Sequence, residues 1–336
     1  MAVRKRKRGD GQTGGGNIAR DVQASMRGMM FKRTQEMLTW QSRKIILLAE
    51  SFFGKTTFCA GLQKFAPVYI IELDFDGAAF VPRNVPVQYC HYWDHVPEPK
   101  KGESNEDFVD RLAQDIASGE IGFKQIVHLC LETLDPGTIV VVDTGDALYF
   151  TRERQLLNDR GLDSMPEDHG KAYNAIAHDI REQMHLLASK FGLIIPIHIT
   201  DVEIRIPGSN TTITKTKAAL PPSSWKVFKE MADISLVGST EFLEDDTGNR
   251  VPTRVWRADV TGETYDMGSR LALTEEMFPV DSDAYVKVME ASMAEWKKSS
   301  GQSQFRRPPT VQASSKSGQS RESSLGKAVR RRKQSA

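Results

Sequence analysis

Residues 54–56 of the chain read Gly-Lys-Thr and follow shortly after an apolar segment, residues 45–48. In the phosphate-binding loop pattern G-x-x-x-x-G-K-[ST] they fill the last three fixed positions, and Ala49 stands at the first glycine position. Such a loop curls its backbone N–H groups around an anion, while the lysine reaches the terminal phosphates and the hydroxyl helps to hold magnesium. A bare Gly-Lys-Thr also occurs by chance, so the prediction rests on its context: a strand before the loop and a helix after it, over residues 57–64.

The residues predicted to contact the nucleotide form one continuous segment. They are Ala49, Glu50, Ser51, Phe52, Phe53, Gly54, Lys55, Thr56 and Thr57. A second apolar run, residues 139–142, ends in Asp143, and a carboxylate at the carboxyl end of such a strand faces the phosphate loop in nucleotide sites. Thr56 and Asp143 are therefore the predicted magnesium ligands, and ATP and Mg²⁺ are the expected cofactors.

The composition is that of a globular protein with polar ends. Of 336 residues, 39% are hydrophobic, which is enough for one large or two ordinary domains. No apolar run approaches the roughly 18 residues of a membrane span, and no secretory segment follows the charged start. We expect a cytoplasmic protein without a membrane partner, located in the host cytoplasm if the protein is viral. Because both ends are basic, nuclear localisation is the alternative.

The three cysteines, Cys59, Cys90 and Cys130, are odd in number and widely spaced, which is typical of reduced thiols in a cytosolic protein. Cys90 lies close in sequence to His91 and His95, but no second pair of ligands accompanies them. The sequence therefore does not favour a zinc site.

The net charge of +1 conceals a strong asymmetry. Residues 1–20 carry a balance of +5 and residues 297–336 a balance of +10, which leaves −14 for the rest of the chain. A protein that binds DNA over a large part of its surface is not expected to have an acidic central region. Contact with nucleic acid is therefore expected through the basic ends or a local groove.

Hydrophobic periodicity predicts one domain between two polar segments. We expect a disordered basic arm at residues 1–17, an amphipathic N-terminal helix at 18–42, the folded domain at 43–290 and a disordered basic tail at 297–336. The N-terminal helix is rich in methionine, and packing on its own domain is its expected role.

Strands and helices are predicted to alternate within the domain. Apolar runs predict further strands at residues 68–73, 87–92, 193–199, 232–237 and 251–260, and helical spacing predicts helices at 104–117, 122–133 and 171–190. Residues 152–170 read as charged and turn-rich, and residues 201–216 as a hairpin. Pro196 lacks a backbone N–H, which favours a bulge or an edge position for its strand.

This order of elements resembles the RecA-like P-loop ATPase core, an α/β fold with a mostly parallel sheet flanked by helices. It looks in particular like the compact RecA-type ATPases of bacteriophages that are associated with single-strand annealing and recombination. The resemblance covers about residues 43–238. Its most specific points are A-E-S-F-F-G-K-T-T at 49–57, I-I-E-L-D-F-D-G-A at 70–78, I-V-V-V-D-T at 139–144 and the strand that ends at 198–200.

The resemblance implies roles for further polar residues. Asp74 sits where the family keeps the acid that polarises the attacking water, usually a glutamate, and Glu72 and Asp76 are its rivals. His198 or Thr200 would occupy the position of the polar residue that senses the terminal phosphate. The implied catalytic set is Asp74, Lys55 and His198.

The resemblance also implies partners. The hairpin at 202–217, with Arg205, Lys215 and Lys217, falls where the family's DNA-facing loop would be, so single-stranded DNA is expected to bind there and at the basic tails. Ring and filament ATPases complete their site from a neighbouring subunit. A homo-oligomer is therefore expected, with an arginine finger at Arg254, Arg257 or Arg270.

The function that these features indicate is ATP binding, with ATP hydrolysis, in DNA recombination, annealing or replication, in a phage or virus. Ala49 and the missing glutamate leave open a nucleotide-binding interaction protein that does not hydrolyse ATP and whose basic tails recruit nucleic acid or a partner. A small-molecule kinase is a weaker third alternative, because the sequence shows no arginine-rich lid.

Overall fold

The computed structural model describes residues 39–73, 81–165, 170–205, 212–244, 248–258 and 270–300. The chain divides into two compact units, Met1–Glu295 and Trp296–Ala336. Of the second unit, only residues 296–300 are described. The basic arm, nearly all of the N-terminal helix predicted at 18–42, and almost the whole C-terminal tail lie outside the described residues.

The strands of the described part form one sheet. In chain order they are β1 Lys44–Ala49, β2 Val68–Glu72, β3 Val87–Tyr89, β4 Ile139–Asp143, β5 Gly192–Arg205, β6 Thr212–Ala218, β7 Ile234–Glu244, β8 Arg250–Ala258 and β9 Met277–Pro279. Their spatial order is β3-β2-β4-β5-β1-β7-β8-β9, with β6 paired to β5. The first six of these are parallel neighbours, whereas β6, β8 and β9 pair antiparallel. The predicted mostly parallel α/β fold is confirmed.

Helices cover both faces of the sheet. They are α1 Lys55–Gly61, α2 Asn105–Ala117, α3 Phe123–Thr133, α4 Gly145–Arg160, α5 Lys171–Lys190, α6 Pro222–Met231 and α7 Ser282–Ser300, with short 3-10 turns at Trp40–Ser42 and Leu62–Lys64. The predicted helix start at residue 104 is confirmed, because the Ser104 hydroxyl accepts a hydrogen bond from the Asp107 N–H and caps α2. In the part of the chain that the structure describes, no helix is both long and apolar enough to cross a bilayer.

Alternation along the strands builds two hydrophobic cores, one on each face. One face of β1, β2, β4 and β5 packs against α3, α4, α5 and α6. The other face packs against α1 and α7, with Trp256 of β8 fully buried among them. The central strands are therefore apolar along their whole length, as the sequence predicts.

Helix α4 corrects the prediction that residues 152–170 are turn-rich. Residues 152–160 form its second half, and only the turn that follows is irregular. Thr144 caps its start by accepting a hydrogen bond from Ala147 N–H, and Gly161, with φ of 61°, ends it in the left-handed conformation. Of the charged residues that suggested a loop, Arg154, Asp159 and Arg160 are exposed, whereas Arg152 is largely covered and binds Asp179 of α5; Leu148, Tyr149 and Leu156 are buried.

The expectation of a bulge or an edge position at Pro196 is wrong, because β5 is a central strand. Pro196 pairs with Leu47 of β1, and β4 lies on the other side of β5. The N–H of Leu193 donates to the β1 side, so the missing N–H of residue 196 falls on the β4 side. Pairing with β4 has ended two residues earlier, at Ile194, so the proline leaves no ladder hydrogen bond unmade.

Other strands differ from prediction at their ends. Strand β3 stops at Tyr89, while Tyr92 makes only an isolated bridge to Gly122. Strand β7 runs to Glu244, seven residues beyond the predicted end, and pairs with β8 over its whole extension. Periodicity could not show this extension, because residues 239–244 form a two-stranded ribbon with exposed side chains rather than a buried strand.

The two neighbours of β1 both continue beyond its carboxyl end. Strand β5 continues from His198 into an antiparallel hairpin with β6, as predicted for residues 201–216. Strand β7 continues from Val237 into the hairpin with β8. The loop that follows β1 therefore emerges between two hairpins, and this arrangement positions the candidate site.

Candidate nucleotide-binding site

The phosphate loop, residues 49–56, connects β1 to α1. Ala49 is still part of β1, pairs with His198, and does not have the positive φ that would require glycine. The positive φ values of the loop fall instead at Phe52 (60°) and Gly54 (98°). Alanine at the first glycine position is therefore compatible with the loop's backbone.

The two phenylalanines of the loop have opposite environments. Phe52 holds a left-handed conformation that is uncommon for a bulky residue, and 88% of its surface is exposed. Phe53 is buried and packs edge-on against Trp256, with 5.2 Å between ring centroids. Its ring occupies space above Gly238, where a Cβ would lie 2.4 Å from the ring. Phe53 thus anchors the loop to the hairpin of β7 and β8.

Lys55 is turned into the curl of the loop. Its side chain is only 5% exposed, and Nζ donates to the carbonyl oxygens of Ala49 at 3.2 Å and Glu50 at 2.8 Å. An ammonium group held here carries its charge to the centre of the loop, where an anion would be surrounded by backbone N–H groups.

Thr56 and Asp143, the predicted magnesium ligands, are in direct contact. The Thr56 hydroxyl donates to Asp143 Oδ2 at 2.5 Å, and Asp143 is almost fully buried. Burial raises the pKa of Asp143, and the Thr56 hydrogen bond and the Lys55 charge oppose this shift. The other carboxylate oxygen, Oδ1, has no hydrogen-bond partner in the described residues.

The donor set at Asp143 fits magnesium. A buried carboxylate oxygen without a hydrogen bond, next to a hydroxyl, offers the hard oxygen ligands that Mg²⁺ prefers. No three His, Cys, Asp or Glu side chains of the described ranges are grouped so as to hold a metal by themselves. Phosphate oxygens and water would have to complete the coordination, as is usual for Mg²⁺ in nucleotide sites.

Of the three acids at the end of β2, Glu72 lies within the described residues, whereas Asp74 and Asp76 lie outside them. Glu72 is the Cα partner of Asp143 in the parallel ladder, so both side chains leave the same face of the sheet. Glu72 is 1% exposed. The acid that the sequence ranked as a rival is thus placed beside the predicted metal ligand.

His198 lies on β5 where the pairing with β1 ends, opposite Ala49 of the loop, and binds Asp146, a residue that sequence reasoning missed. Asp146 Oδ1 accepts the His198 backbone N–H at 3.0 Å, and Oδ2 lies 2.9 Å from His198 Nδ1. Burial opposes the charge of Asp146, but the hydrogen bonds and charge of His198 hold its pKa below the ordinary value. Thr200 is exposed and pairs with Lys217 of the hairpin.

The three arginines proposed as trans fingers all have partners within their own chain. Arg254 Nη1 donates to the Phe53 carbonyl oxygen of the phosphate loop at 3.2 Å. Arg257 binds Glu241 on the neighbouring strand at 3.0 Å, and Arg270 donates to the backbone carbonyl of Glu230. The side chains of Arg205 and Lys215 lie outside the described atoms, and Lys217 is exposed.

A cavity of about 730 Å³ opens beside the loop, on the side of α1 that faces β8. It is lined by Gly54, Thr57 and Phe58 on one side and by Arg254, Pro279 and Asp281 on the other. Its volume lies in the range of small-molecule and cofactor pockets. Gly54 and Thr57, which line this cavity, flank Lys55 and Thr56 in the predicted nucleotide-binding segment.

The fold is that of a mostly parallel α/β protein in which the phosphate-loop strand β1 and the aspartate strand β4 lie on either side of β5, with helices on both faces. No protein-family model matches the chain, and no curated protein matches it in sequence. The solved structures that are similar to it include the following two. The flagellar accessory protein FlaH from Methanocaldococcus jannaschii has a TM-score of 0.29 and 12% identity, over 70% of this chain and 84% of FlaH. A prototypical ATPase from the type III secretion system of pathogenic bacteria has a TM-score of 0.34 and 10% identity, over 59% of this chain and 51% of the ATPase. At these identities and TM-scores neither likeness assigns this chain a function.

Proposed function

We propose that this protein binds ATP with magnesium at residues 49–57 and hydrolyses it. The observation that carries the proposal is the contact between Thr56 and Asp143, which joins the loop's hydroxyl to a buried carboxylate with one oxygen free of hydrogen bonds. Thr56 and Asp143 would hold the ion, and the ion would neutralise charge on the terminal phosphates.

Lys55 would bind the terminal phosphates. Its Nζ now donates to two neutral carbonyl oxygens of the loop. Hydrogen bonds from an ammonium group to a charged phosphate oxygen are stronger than those to a carbonyl oxygen. We therefore expect the Lys55 amine to exchange at least one of these carbonyls for the nucleotide, without a large movement of its stem.

Glu72 is the described acid best placed to act as the general base. Glu72 is paired with Asp143 in the ladder between β2 and β4, and both side chains leave the same face of the sheet. A water molecule that attacks the terminal phosphate near Asp143 would therefore be within reach of the Glu72 carboxylate. Asp74 is the alternative base. Replacing Glu72 and Asp74 separately would distinguish the two candidates.

The nucleoside part of ATP would enter the cavity beside Gly54 and Thr57. Phosphates held by Lys55 and Thr56 leave the rest of the nucleotide to extend from the loop, and this cavity adjoins the same turn of α1. Thr57 would then lie between the phosphates and the nucleoside, which agrees with the prediction that Thr57 contacts the nucleotide.

The wider role that we propose is in DNA recombination, annealing or replication, in a phage or virus, with single-stranded DNA bound by the basic tails and the hairpin of β5 and β6. Its support is the balance of +5 and +10 at the two ends of the chain and the exposed Lys217 on a hairpin that continues from His198. A homo-oligomer in which a neighbour completes the site is part of this proposal.

The test is ATP turnover by the full-length chain, with and without single-stranded DNA, and gel filtration with ATP. Lys55→Ala should abolish turnover and DNA-dependent assembly, whereas Lys226→Ala should change neither, because Lys226 is an exposed lysine paired only with Glu230 on α6. Unchanged turnover in Lys55→Ala would show that the proposal is wrong. Tight ATP binding without phosphate release under any DNA condition would select the non-hydrolysing alternative.

A further inference from the structure

Arg254 of β8 makes a contact that its position in the sequence does not suggest. It is an exposed residue of the hairpin of β7 and β8, opposite Thr240, yet its Nη1 donates to the carbonyl oxygen of Phe53 at 3.2 Å. Its guanidinium carbon also lies 5.9 Å from the centroid of the Phe53 ring. The side chain therefore reaches across to the phosphate loop of its own chain.

This hydrogen bond fixes the orientation of one peptide group in the loop. In a trans peptide the C=O and the N–H point in opposite directions. The Phe53 carbonyl points to Arg254, so the Gly54 N–H points away from the hairpin. The Gly54 N–H is the donor that immediately precedes Lys55, and it belongs to the set that must face an anion in a phosphate loop.

Gly54 by itself does not hold this peptide in place. Its φ is +98°, and glycine accepts the opposite sign of φ about as readily, so the Phe53–Gly54 peptide can turn over without a Cβ clash at residue 54. The Phe53 ring is anchored by Trp256 and by its fit over Gly238, but an anchored ring leaves the following peptide free to rotate. The Arg254 hydrogen bond is the described contact that restrains the carbonyl.

We propose that Arg254 is a positioning residue that holds the Phe53–Gly54 peptide with its N–H towards the phosphates, and so couples the hairpin of β7 and β8 to nucleotide affinity. This inference rests on the proposed function and adds to it a role within the chain for an arginine that was expected to act on a neighbour. A displacement of the hairpin would withdraw Arg254 and free the peptide.

The experiment measures the affinity of the full-length protein for a fluorescent ATP analogue with Mg²⁺. Arg254→Ala should weaken binding about tenfold, the usual effect of losing one hydrogen bond from a charged donor. Arg254→Lys, which keeps a charged donor, should recover part of the loss. Arg250→Ala is the matched control: it removes an exposed arginine from the same strand, and we expect it to leave affinity unchanged.

Two further readouts separate positioning from other roles. Competition by inorganic pyrophosphate should weaken by the same factor in Arg254→Ala, because the loop peptide faces phosphate; a loss confined to ATP would mean that Arg254 contacts the nucleoside instead. The melting temperature without nucleotide should be only slightly lower in Arg254→Ala than in Arg250→Ala, because the variant loses one hydrogen bond to the Phe53 carbonyl. Unfolding of Arg254→Ala at the assay temperature would assign Arg254 a structural role instead.

The outcomes also separate this inference from the proposed function. If the wild type binds the analogue, Lys55→Ala does not, and Arg254→Ala binds as the wild type does, the positioning role is wrong and the proposed function stands. If the wild type binds no nucleotide at all, both are wrong.

Discussion

The Thr56 hydroxyl and the Asp143 carboxylate, 87 residues apart in the chain, meet at 2.5 Å at the junction of α1 and β4. Among the described residues only one oxygen of the carboxylate has a hydrogen-bond partner, and the group is almost entirely buried. A buried carboxylate in this state is costly to the fold, and a cation offsets that cost. This residue therefore links the stability of the protein to magnesium and to pH.

Asp143→Asn should stabilise the protein without magnesium and abolish stabilisation by Mg²⁺ with ATP. The pKa of Asp143 is raised in the folded state, so the native protein binds a proton more tightly than the unfolded chain. The stability of the wild type should consequently fall as pH rises from the ordinary pKa of 3.8 through the raised value. Urea unfolding at several pH values should show the advantage of the variant growing over this interval and then remaining constant.

The control for this series is Asp283→Asn, which alters an exposed carboxylate paired with Lys64. It should leave the dependence on magnesium unchanged. An Asp143→Asn protein that is still stabilised by Mg²⁺ with ATP as strongly as the wild type would remove Asp143 from the metal site.

Glu72→Gln and Asp74→Asn should have different effects on turnover. If Glu72 is the base, Glu72→Gln should lower the turnover number by about 10²–10⁴, the usual contribution of a positioned base, with ATP affinity nearly unchanged. Asp74→Asn should then retain most of the activity. Single-turnover phosphate release measures both, and the reverse ranking would assign the role to Asp74.

Gly238→Ala should disturb the loop from a distance. An added Cβ would lie 2.4 Å from the Phe53 ring and 2.8 Å from the Ala49 Cβ, so the ring must move. We expect a loss of about 1–3 kcal/mol in the free energy of unfolding, typical of overpacking, and weaker ATP binding. Gly137→Ala is the matched control, because a Cβ there has no neighbour within 4 Å. Equal stability in the two variants would contradict the packing of Phe53 on β7.

The order of elements along the chain and the strand, loop and helix around residues 45–61 could be predicted because their signals are local. Four apolar residues before Asp143, the apolar run before the loop and the helical spacing of α5 each mark one element, and the parallel α/β fold follows from their alternation. The helix α4 was missed at residues 152–160 because this stretch is rich in charged residues and Leu156 is its one buried apolar residue.

The meeting of Thr56 with Asp143 was predicted, but the other contacts of the site were not, because they depend on pairing between distant segments. Arg254 reaches the loop only through the register of β7 with β8, and Asp146 reaches His198 only where the β4–β5 ladder has ended. Pro196 shows the same limitation, since its tolerance in a central strand depends on which neighbour its missing N–H faces. A residue's type indicates what it can bind but not which partner is within reach.

The Asp146–His198 pair tests that conclusion. Strand β4 no longer pairs with β5 at residue 198, so Asp146 accepts the hydrogen bond from the His198 backbone N–H in its place. Asp146→Ala leaves the His198 backbone N–H without its acceptor and should cost about 2–3 kcal/mol, while Asp146→Asn keeps an acceptor and should cost about 1 kcal/mol. The pKa of Asp146 is lowered, so its ionic contribution is present above the ordinary pKa of 3.8 and is lost as pH falls through the lowered value. Urea unfolding of both variants and of His198→Ala at pH 7 and at pH values below 3.8 measures this. If Asp146→Ala and Asp146→Asn are equally stable at pH 7, the backbone hydrogen bond contributes nothing, and the pairing of β5 with β1 and β6 is sufficient to hold the strand at His198.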